Sequence, residues 1–151
     1  MQVTARIDYA MQALLFIASR PTERHTRDSI ATSQHIPPRY LEDILAVLRQ
    51  ARLVDAHRGN AGGYQLARPA GEITVADVAR AIDGPLALVQ GRRPEEVFYQ
   101  APSEHLGDLW VGLRAAIRSV MERVTLADLL AAELPPVLAD VLADPDAWRI
   151  R

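Results

Sequence analysis

Two short segments of the chain carry an arginine in a setting that could bind nucleic acid. The first is Pro38-Arg39-Tyr40-Leu41-Glu42, and the second is the glycine-rich run Arg58-Gly59-Asn60-Ala61-Gly62. An arginine can donate two hydrogen bonds to one guanine, and a carboxylate can accept one from cytosine. A glycine-rich turn lets its backbone approach a ligand closely, because glycine has no Cβ and adopts positive φ. Both segments are therefore predicted to contact duplex DNA, through Pro38, Arg39, Tyr40, Glu42, Arg58 and Gly59.

Three side chains near the amino terminus could add hydrogen bonds to phosphates. Thr4, Arg6 and Tyr9 lie in the first turns of a predicted helix, and contacts of this kind set register without reading base sequence. Asp8 lies among them and argues against a purely phosphate-facing surface. For these side chains, as for the two segments above, the alternative is a solvated surface that contacts no DNA.

Enzyme and metal chemistry find no support in the sequence. The chain has no cysteine, which excludes disulfides, thiolate metal sites and cysteine nucleophiles. Its histidines show no close ligand spacing, and phosphate-binding loops and serine-nucleophile motifs are absent from the sequence. We therefore predict no enzymatic activity, no cofactor and no metal. The histidines, expected at the surface or at helix caps, are His25, His35, His57 and His105.

The hydrophobic period predicts three helices and a hairpin that would position the two segments. Apolar residues recur at helical spacing in 4–19, 26–34 and 37–51, with Thr26 as an N-cap and two prolines opening the third helix. Two β-capable stretches, 53–57 and 62–67, flank the glycine-rich run. This order predicts a mainly α fold with a small β-hairpin wing, a winged helix-turn-helix, over residues 1–70.

Helical patterns return after residue 70. Thr74 and Asp77 form a capping-box pattern for a helix that ends at Asp83, with Gly84 after it. Residues 85–102 lack a period and are predicted to form a sensing loop, so that 71–102 would link the two ends of the chain. Shorter helices are predicted from Thr125 and over 137–143.

Ser103 is predicted to cap a long helix that reaches about Val124. The apolar stripe of this helix extends over five turns, more than a small domain needs, which favours a helix–helix interface between two copies. Residues 103–151 are therefore predicted to form the dimerisation region of a homodimer. The predicted interface residues are Leu106, Leu109, Trp110, Leu113, Ile117 and Val120.

Charge is distributed unevenly along the chain. Residues 1–70 carry nine arginines against six acidic residues, a net charge of +3, whereas residues 71–151 carry eight against thirteen, a net charge of −5. Only the amino-terminal part is expected to approach a polyanion. No segment reaches the roughly eighteen apolar residues of a membrane span, and the start does not resemble a signal peptide. We therefore expect a cytoplasmic protein without a membrane partner.

The glycine-rich run continues into the motif Gly62-Gly63-Tyr64-Gln65-Leu66-Ala67-Arg68. With this wing motif as the most specific element, the chain over about residues 1–130 resembles the Rrf2 family of bacterial winged-helix transcriptional regulators. The resemblance implies a homodimer on a two-fold operator, with the third helix in the major groove, the wing in the neighbouring minor groove, and the long helix crossing its partner. The other matching motifs are Tyr9-Ala10, Ile36–Glu42, Leu48–Val54, Glu72–Val78 and Thr125–Leu129.

One departure concerns the iron–sulfur sensors of that family, which carry cysteines in the loop before the long helix. The corresponding residues, about 85–104, contain none here, so a cluster held by thiolates is excluded. The chain is thus predicted to be a cluster-free, sequence-specific DNA-binding regulator that acts as a repressor, with a small molecule or a protein as effector at the 85–102 loop. The alternative is a winged-helix module that has lost its operator and docks a protein.

Overall fold

A computed structural model describes residues 3–59 and 61–149, so the hairpin residue Asn60 lies outside the described residues. Three helices, α1 (Ala5–Ala18), α2 (Arg27–Gln34) and α3 (Pro38–Gln50), precede a hairpin of β1 (Val54–His57) and β2 (Gly63–Leu66). The two strands are antiparallel, and Val54 pairs with Leu66. This element order confirms the predicted winged helix-turn-helix fold.

Helices also make up the carboxyl-terminal part of the molecule. Among the described residues no helix is long and apolar enough to cross a membrane. The helices are α4 (Val75–Asp83), α5 (Leu106–Met121), α6 (Leu126–Leu130) and α7 (Pro136–Ala143), with single 3₁₀ turns at Ala70–Glu72, Pro94–Glu96 and Pro145–Trp148.

Threonine caps fix the start of four helices. Thr4 and Thr26 each accept a hydrogen bond from the backbone N–H three residues later, at the starts of α1 and α2. These caps satisfy N–H groups that have no partner inside the helix. Two further threonines form complete capping boxes with an aspartate: Thr74 with Asp77 at α4, as the sequence predicts, and Thr125 with Asp128 at α6, where the sequence predicts only that a helix begins.

The prediction that Ser103 caps the long helix is wrong. Helix α5 begins at Leu106, and the residue before it, His105, makes no side-chain cap hydrogen bond. The segment before α5 forms two four-residue turns instead, since Ser103 N–H donates to the Gln100 carbonyl and Leu106 N–H to the Ser103 carbonyl. Helix α5 therefore starts two residues later than the sequence indicates.

One hydrophobic core joins α1, α2, α3 and the start of β1. Helix α3 buries a single face, so its remaining residues point outward. The core continues past the wing, because Ile73 and Val78 belong to it and Leu126 of α6 is fully buried within it. The fully buried core side chains of the first three helices and β1 include Leu14, Ile17, Ile30, Leu41, Ile44, Leu45, Leu48 and Val54.

Candidate nucleic-acid interface

The outward face of α3 carries the predicted groove-contacting residues. Pro38 is the first helical residue, where its missing N–H costs no hydrogen bond. Arg39, Tyr40 and Glu42 are exposed, because Leu41 and the other apolar positions of α3 occupy the opposite face. The amino-terminal turns of α3 thus present a guanidinium, a phenol and a carboxylate to solvent.

An ion pair ties Glu42 to the preceding helix. Arg27 Nη1 lies 3.0 Å from Glu42 Oε2, and Arg27 also donates to Asp28 Oδ1 from Nε at 3.1 Å and Nη2 at 3.0 Å. The pKa of Arg27 is raised above its ordinary value, first by the hydrogen bond to Asp28 and then by the charges of Asp28 and Glu42. The sequence predicts that Glu42 accepts a hydrogen bond from cytosine. In the structure its carboxylate already accepts one from Arg27, and no sequence motif indicates this contact.

A third strand-like segment supports the wing. His25 N–H donates to the Tyr64 carbonyl at 2.9 Å, and Tyr64 N–H donates back at 2.8 Å. Gly63 makes this approach possible: its φ is +146°, and a Cβ there would lie 2.9 Å from the His25 carbonyl oxygen. Arg24 then reaches the wing, with Nη1 3.3 Å from the Ala61 carbonyl oxygen. The hairpin is therefore held from one side by residues 24 and 25.

His25 is buried, which corrects the expectation that it lies at the surface or at a cap. Its backbone pairing with Tyr64 draws the ring inward, where it contacts Phe16 edge-on with ring centroids 5.1 Å apart. Its Nε2 lies 3.3 Å from the Arg20 carbonyl oxygen. His35, by contrast, is the C-cap of α2 in the left-handed region, as a cap assignment predicts.

Arg58 and Gly59 follow β1 directly and are exposed. Gly59 has φ +98°, and its carbonyl accepts a 2.8 Å hydrogen bond from Gly62 N–H, which closes the turn. Arg58 and Arg39 have no ion-pair partner among residues 3–59 and 61–149. Both guanidinium groups are thus available to a ligand.

Helix α3 and the wing hairpin border one surface depression of about 220 Å³. Glu42 contributes the α3 side, Tyr64 contributes the wing side, and Thr26, Arg27 and Asp28 contribute the start of α2. Glu42 of α3 and Tyr64 of β2 therefore border the same depression, although neither Arg39 nor Arg58 lines it.

The three predicted phosphate contacts at α1 have different surroundings. Thr4 caps α1, and its hydroxyl donates to Asp83 Oδ2 at 2.9 Å. This hydroxyl proton already forms a hydrogen bond within the protein, so it is not free to bind a phosphate. Tyr9 packs against the core and meets the Tyr40 ring edge-on, with centroids 5.9 Å apart. Arg6 is half-buried and has no ion pair within the described part of the chain. Of the three, Arg6 keeps the most freedom to meet a phosphate.

Helix α5 buries none of its 16 residues in the isolated chain. Leu109 is 56% exposed and Leu113 is 43% exposed, while Leu106, Trp110, Ile117 and Val120 are half-buried. Trp110, Leu113 and Ile117 also line a largely apolar groove of about 440 Å³ with residues 87–89. All six predicted interface residues thus retain accessible apolar surface.

Comparison with known proteins gives concordant matches. The family described as Rrf2, iron-dependent transcriptional regulator, matches residues 3–132. A Mycobacterium tuberculosis protein that carries the name of an HTH-type transcriptional regulator is 44% identical over 145 residues, 95% of this chain and 90% of the relative. The HTH-type transcriptional regulator CymR of Bacillus subtilis is 32% identical over 130 residues, 85% of this chain and 89% of the relative.

Solved structures match over nearly the same length. The structure of CymR, the global cysteine regulator of B. subtilis, superposes with a TM-score of 0.72 at 28% identity and covers 85% of this chain and 95% of that one. The structure of T. potens IscR superposes with a TM-score of 0.70 at 27% identity and covers 100% of this chain and 93% of that one.

The iron in the family's description does not fit the residues of this chain. The sequence contains no cysteine, so no thiolate is present to hold iron or an iron–sulfur cluster. Within residues 3–59 and 61–149, His, Asp and Glu side chains nowhere form a group of three that could hold a metal ion. The donor set of this chain therefore does not fit an iron–sulfur cluster.

Proposed function

Because this chain belongs to the Rrf2 family of transcriptional regulators and not to a family of enzymes, we propose that it is a cytoplasmic homodimer that represses transcription from a two-fold operator. Helix α3 enters the major groove, and the wing lies along the neighbouring minor groove. No iron–sulfur cluster takes part. The 85–102 loop receives the effector.

The observation that carries this proposal is the common depression bordered by α3 and the wing. Arg39 on α3 and Arg58 on the wing lack ion pairs among the described residues, so each can meet DNA without first breaking a protein contact. Arginine is the side chain best matched to guanine in the major groove and to a narrow minor groove. Two such groups on adjacent elements support simultaneous contact with both grooves.

Exposed apolar surface on α5 supports the dimer. Leu109 and Leu113 would remain solvated in a monomer, and burying apolar surface stabilises association by about 25 cal/mol per Å² before the costs of association. A two-fold pair of α5 helices would set two α3 helices apart for successive half-sites. Repression then follows from occupancy alone, because a dimer on a promoter excludes other proteins from the same duplex.

Genome-wide mapping of bound sites with the full chain tests the proposal. We expect enrichment of promoter sites that share a two-fold symmetric sequence, and increased transcription of the adjacent genes when the protein is removed. Absence of promoter enrichment together with one stoichiometric protein partner would instead support the winged-helix module that docks a protein. Higher transcription in the presence of the protein would contradict the proposed repressor role but not DNA binding.

A further inference from the structure

A cavity of about 480 Å³ lies between the end of α4, the following loop and α5. This volume is within the range of small-molecule sites, about 300–1,000 Å³. Its apolar wall is formed by Pro85, Leu86 and Leu88. Its polar wall consists of Glu95 and the guanidinium groups of Arg80, Arg93, Arg114 and Arg118.

Two carboxylates neutralise only part of this arginine cluster. Glu95 Oε2 lies 2.8 Å from Arg114 Nη1, and Glu122 accepts hydrogen bonds from both Arg80 and Arg118. Arg93 has no ion pair among the described residues. Four lining guanidinium groups against the two carboxylates that are ion-paired to them leave a formal surplus of two positive charges. Glu96, which accepts a hydrogen bond from the Arg93 backbone N–H, is not among the lining residues.

The surplus persists at neutral pH. The pKa of Glu122 is lowered by the hydrogen bonds from Arg118 and Arg80, and the pKa of Glu95 is lowered by its own backbone N–H and by the hydrogen bond from Arg114. Both carboxyl groups are therefore ionised at neutral pH, and the surplus of two positive charges remains after their negative charges have been subtracted. The carboxyl-terminal part of the chain is acidic as a whole, with a net charge of −5 over 71–151, so half of its eight arginines converge on this one place.

We propose that this cavity binds a small organic anion with two negative charges, carried by carboxylate or phosphate groups. Two charges would match the surplus, and arginine binds both groups through paired hydrogen bonds. The short apolar wall would take the carbon skeleton between the charged groups. That this anion is the effector rests on the proposed function; that the cavity binds it does not.

Helix α4 connects the cavity with the DNA-facing part of the molecule. Arg80 is on the last turns of α4, and Asp83 at its end accepts the hydrogen bond from Thr4 at the start of α1. Helix α4 also packs against α1 and α3. An anion that draws Arg80 away from Glu122 would therefore act on the helix that supports α3.

Isothermal titration calorimetry on the full chain at pH 7.5 and constant ionic strength tests the site, with the dianions succinate and glycerol 2-phosphate as probes and acetate as the singly charged control. We expect saturable binding of at least one of the two probes and none of acetate. Arg93→Met should weaken that binding about tenfold, as expected for loss of a charge-assisted hydrogen bond. Arg92→Met is the matched control, because it removes the same charge one residue away, outside the cavity wall.

Two results would overturn the site: no saturable binding of either probe below about 10 mM, a free energy near −3 kcal/mol, or equal weakening by Arg92→Met and Arg93→Met. The effector role is measured separately, as the DNA affinity with and without saturating probe. A change in the parent that is lost in Arg93→Met supports the role, and an unchanged DNA affinity contradicts it. A chain that binds the probe but no DNA would refute the proposed function and leave the cavity assignment standing.

Discussion

Arg27 Nη1 donates a hydrogen bond to Glu42 Oε2 at 3.0 Å, which joins the first turn of α2 to the first half of α3. The pair borders the depression between α3 and the wing. A carboxylate on a surface that meets phosphates opposes binding in general, and here Arg27 offsets that charge while the protein is free. We therefore expect Glu42 to affect the balance between specific and non-specific DNA binding.

Glu42→Ala is expected to tighten binding to random duplex DNA about three- to tenfold at low salt. The substitution removes a negative charge from the DNA-facing surface and releases Arg27 to meet a phosphate. Fluorescence anisotropy with a labelled random duplex measures the effect, and Glu72→Ala, an exposed acid on the 3₁₀ turn at Ala70–Glu72, is the control. Equal affinities for the two variants would show that Glu42 does not face DNA.

Gly63→Ala is expected to lower the free energy of unfolding by about 1–3 kcal/mol, the usual cost of a strained backbone position. A Cβ at residue 63 would lie 2.9 Å from the His25 carbonyl oxygen, and the backbone there has φ +146°. Gly71→Ala is the matched control, because its Cβ would meet only the Ala127 side chain, at 3.9 Å. Urea titration compares the two, and similar midpoints would argue against the close pairing of residues 25 and 64.

Leu113→Glu is expected to convert the protein to a monomer. The leucine is 43% exposed beside the apolar groove on α5, and a charge buried at a helix–helix interface without a partner strongly opposes association. Sedimentation velocity gives the mass of each variant. Ala115→Glu places the same charge at an exposed position of the same helix outside that groove and should remain a dimer. A dimer in both variants, or a monomeric parent, would contradict the α5 interface.

Asp128→Asn is expected to reduce the acid dependence of stability. The pKa of Asp128 is lowered by the Thr125 hydroxyl and then by the Thr125 backbone N–H. A lowered folded-state pKa contributes stability that is present above the unfolded-state value and is lost as the pH falls through the folded-state value. The difference in urea midpoint between the parent and the variant should therefore be largest near neutral pH and should disappear in acid. Asp140→Asn on α7 is the control, and a gap independent of pH would contradict this assignment.

Local signals account for most of what the sequence predicted correctly. Thr26, Thr74 and Thr125 begin their helices because a hydroxyl and an N–H three residues apart form the cap, whatever lies elsewhere in the chain. Pro38 opens α3 for the same local reason. Ser103 is the local signal that fails: its backbone takes part in two four-residue turns, and its side chain does not cap α5.

Contacts between distant residues account for the rest. Thr4 meets Asp83 across 79 positions of sequence, and Arg27 meets Glu42 across 15, so neither partner carries a spacing that identifies the other. His25 is buried where its backbone pairs with Tyr64, 39 positions later in the sequence. The arginine cavity likewise combines α4, a loop and α5, and none of its arginines forms a motif in the sequence.

The most direct test of the account is the salt dependence of binding to the mapped operator by the parent, Arg39→Ala, Arg58→Ala and Arg123→Ala. Arg123 follows α5, is exposed, and does not line the depression between α3 and the wing. We predict a steep loss of parent affinity with salt, a further loss of about 1–3 kcal/mol for Arg39→Ala and for Arg58→Ala, and no change for Arg123→Ala. Binding that does not depend on salt, with all three variants equal to the parent, would contradict the claim that α3 and the wing contact DNA together.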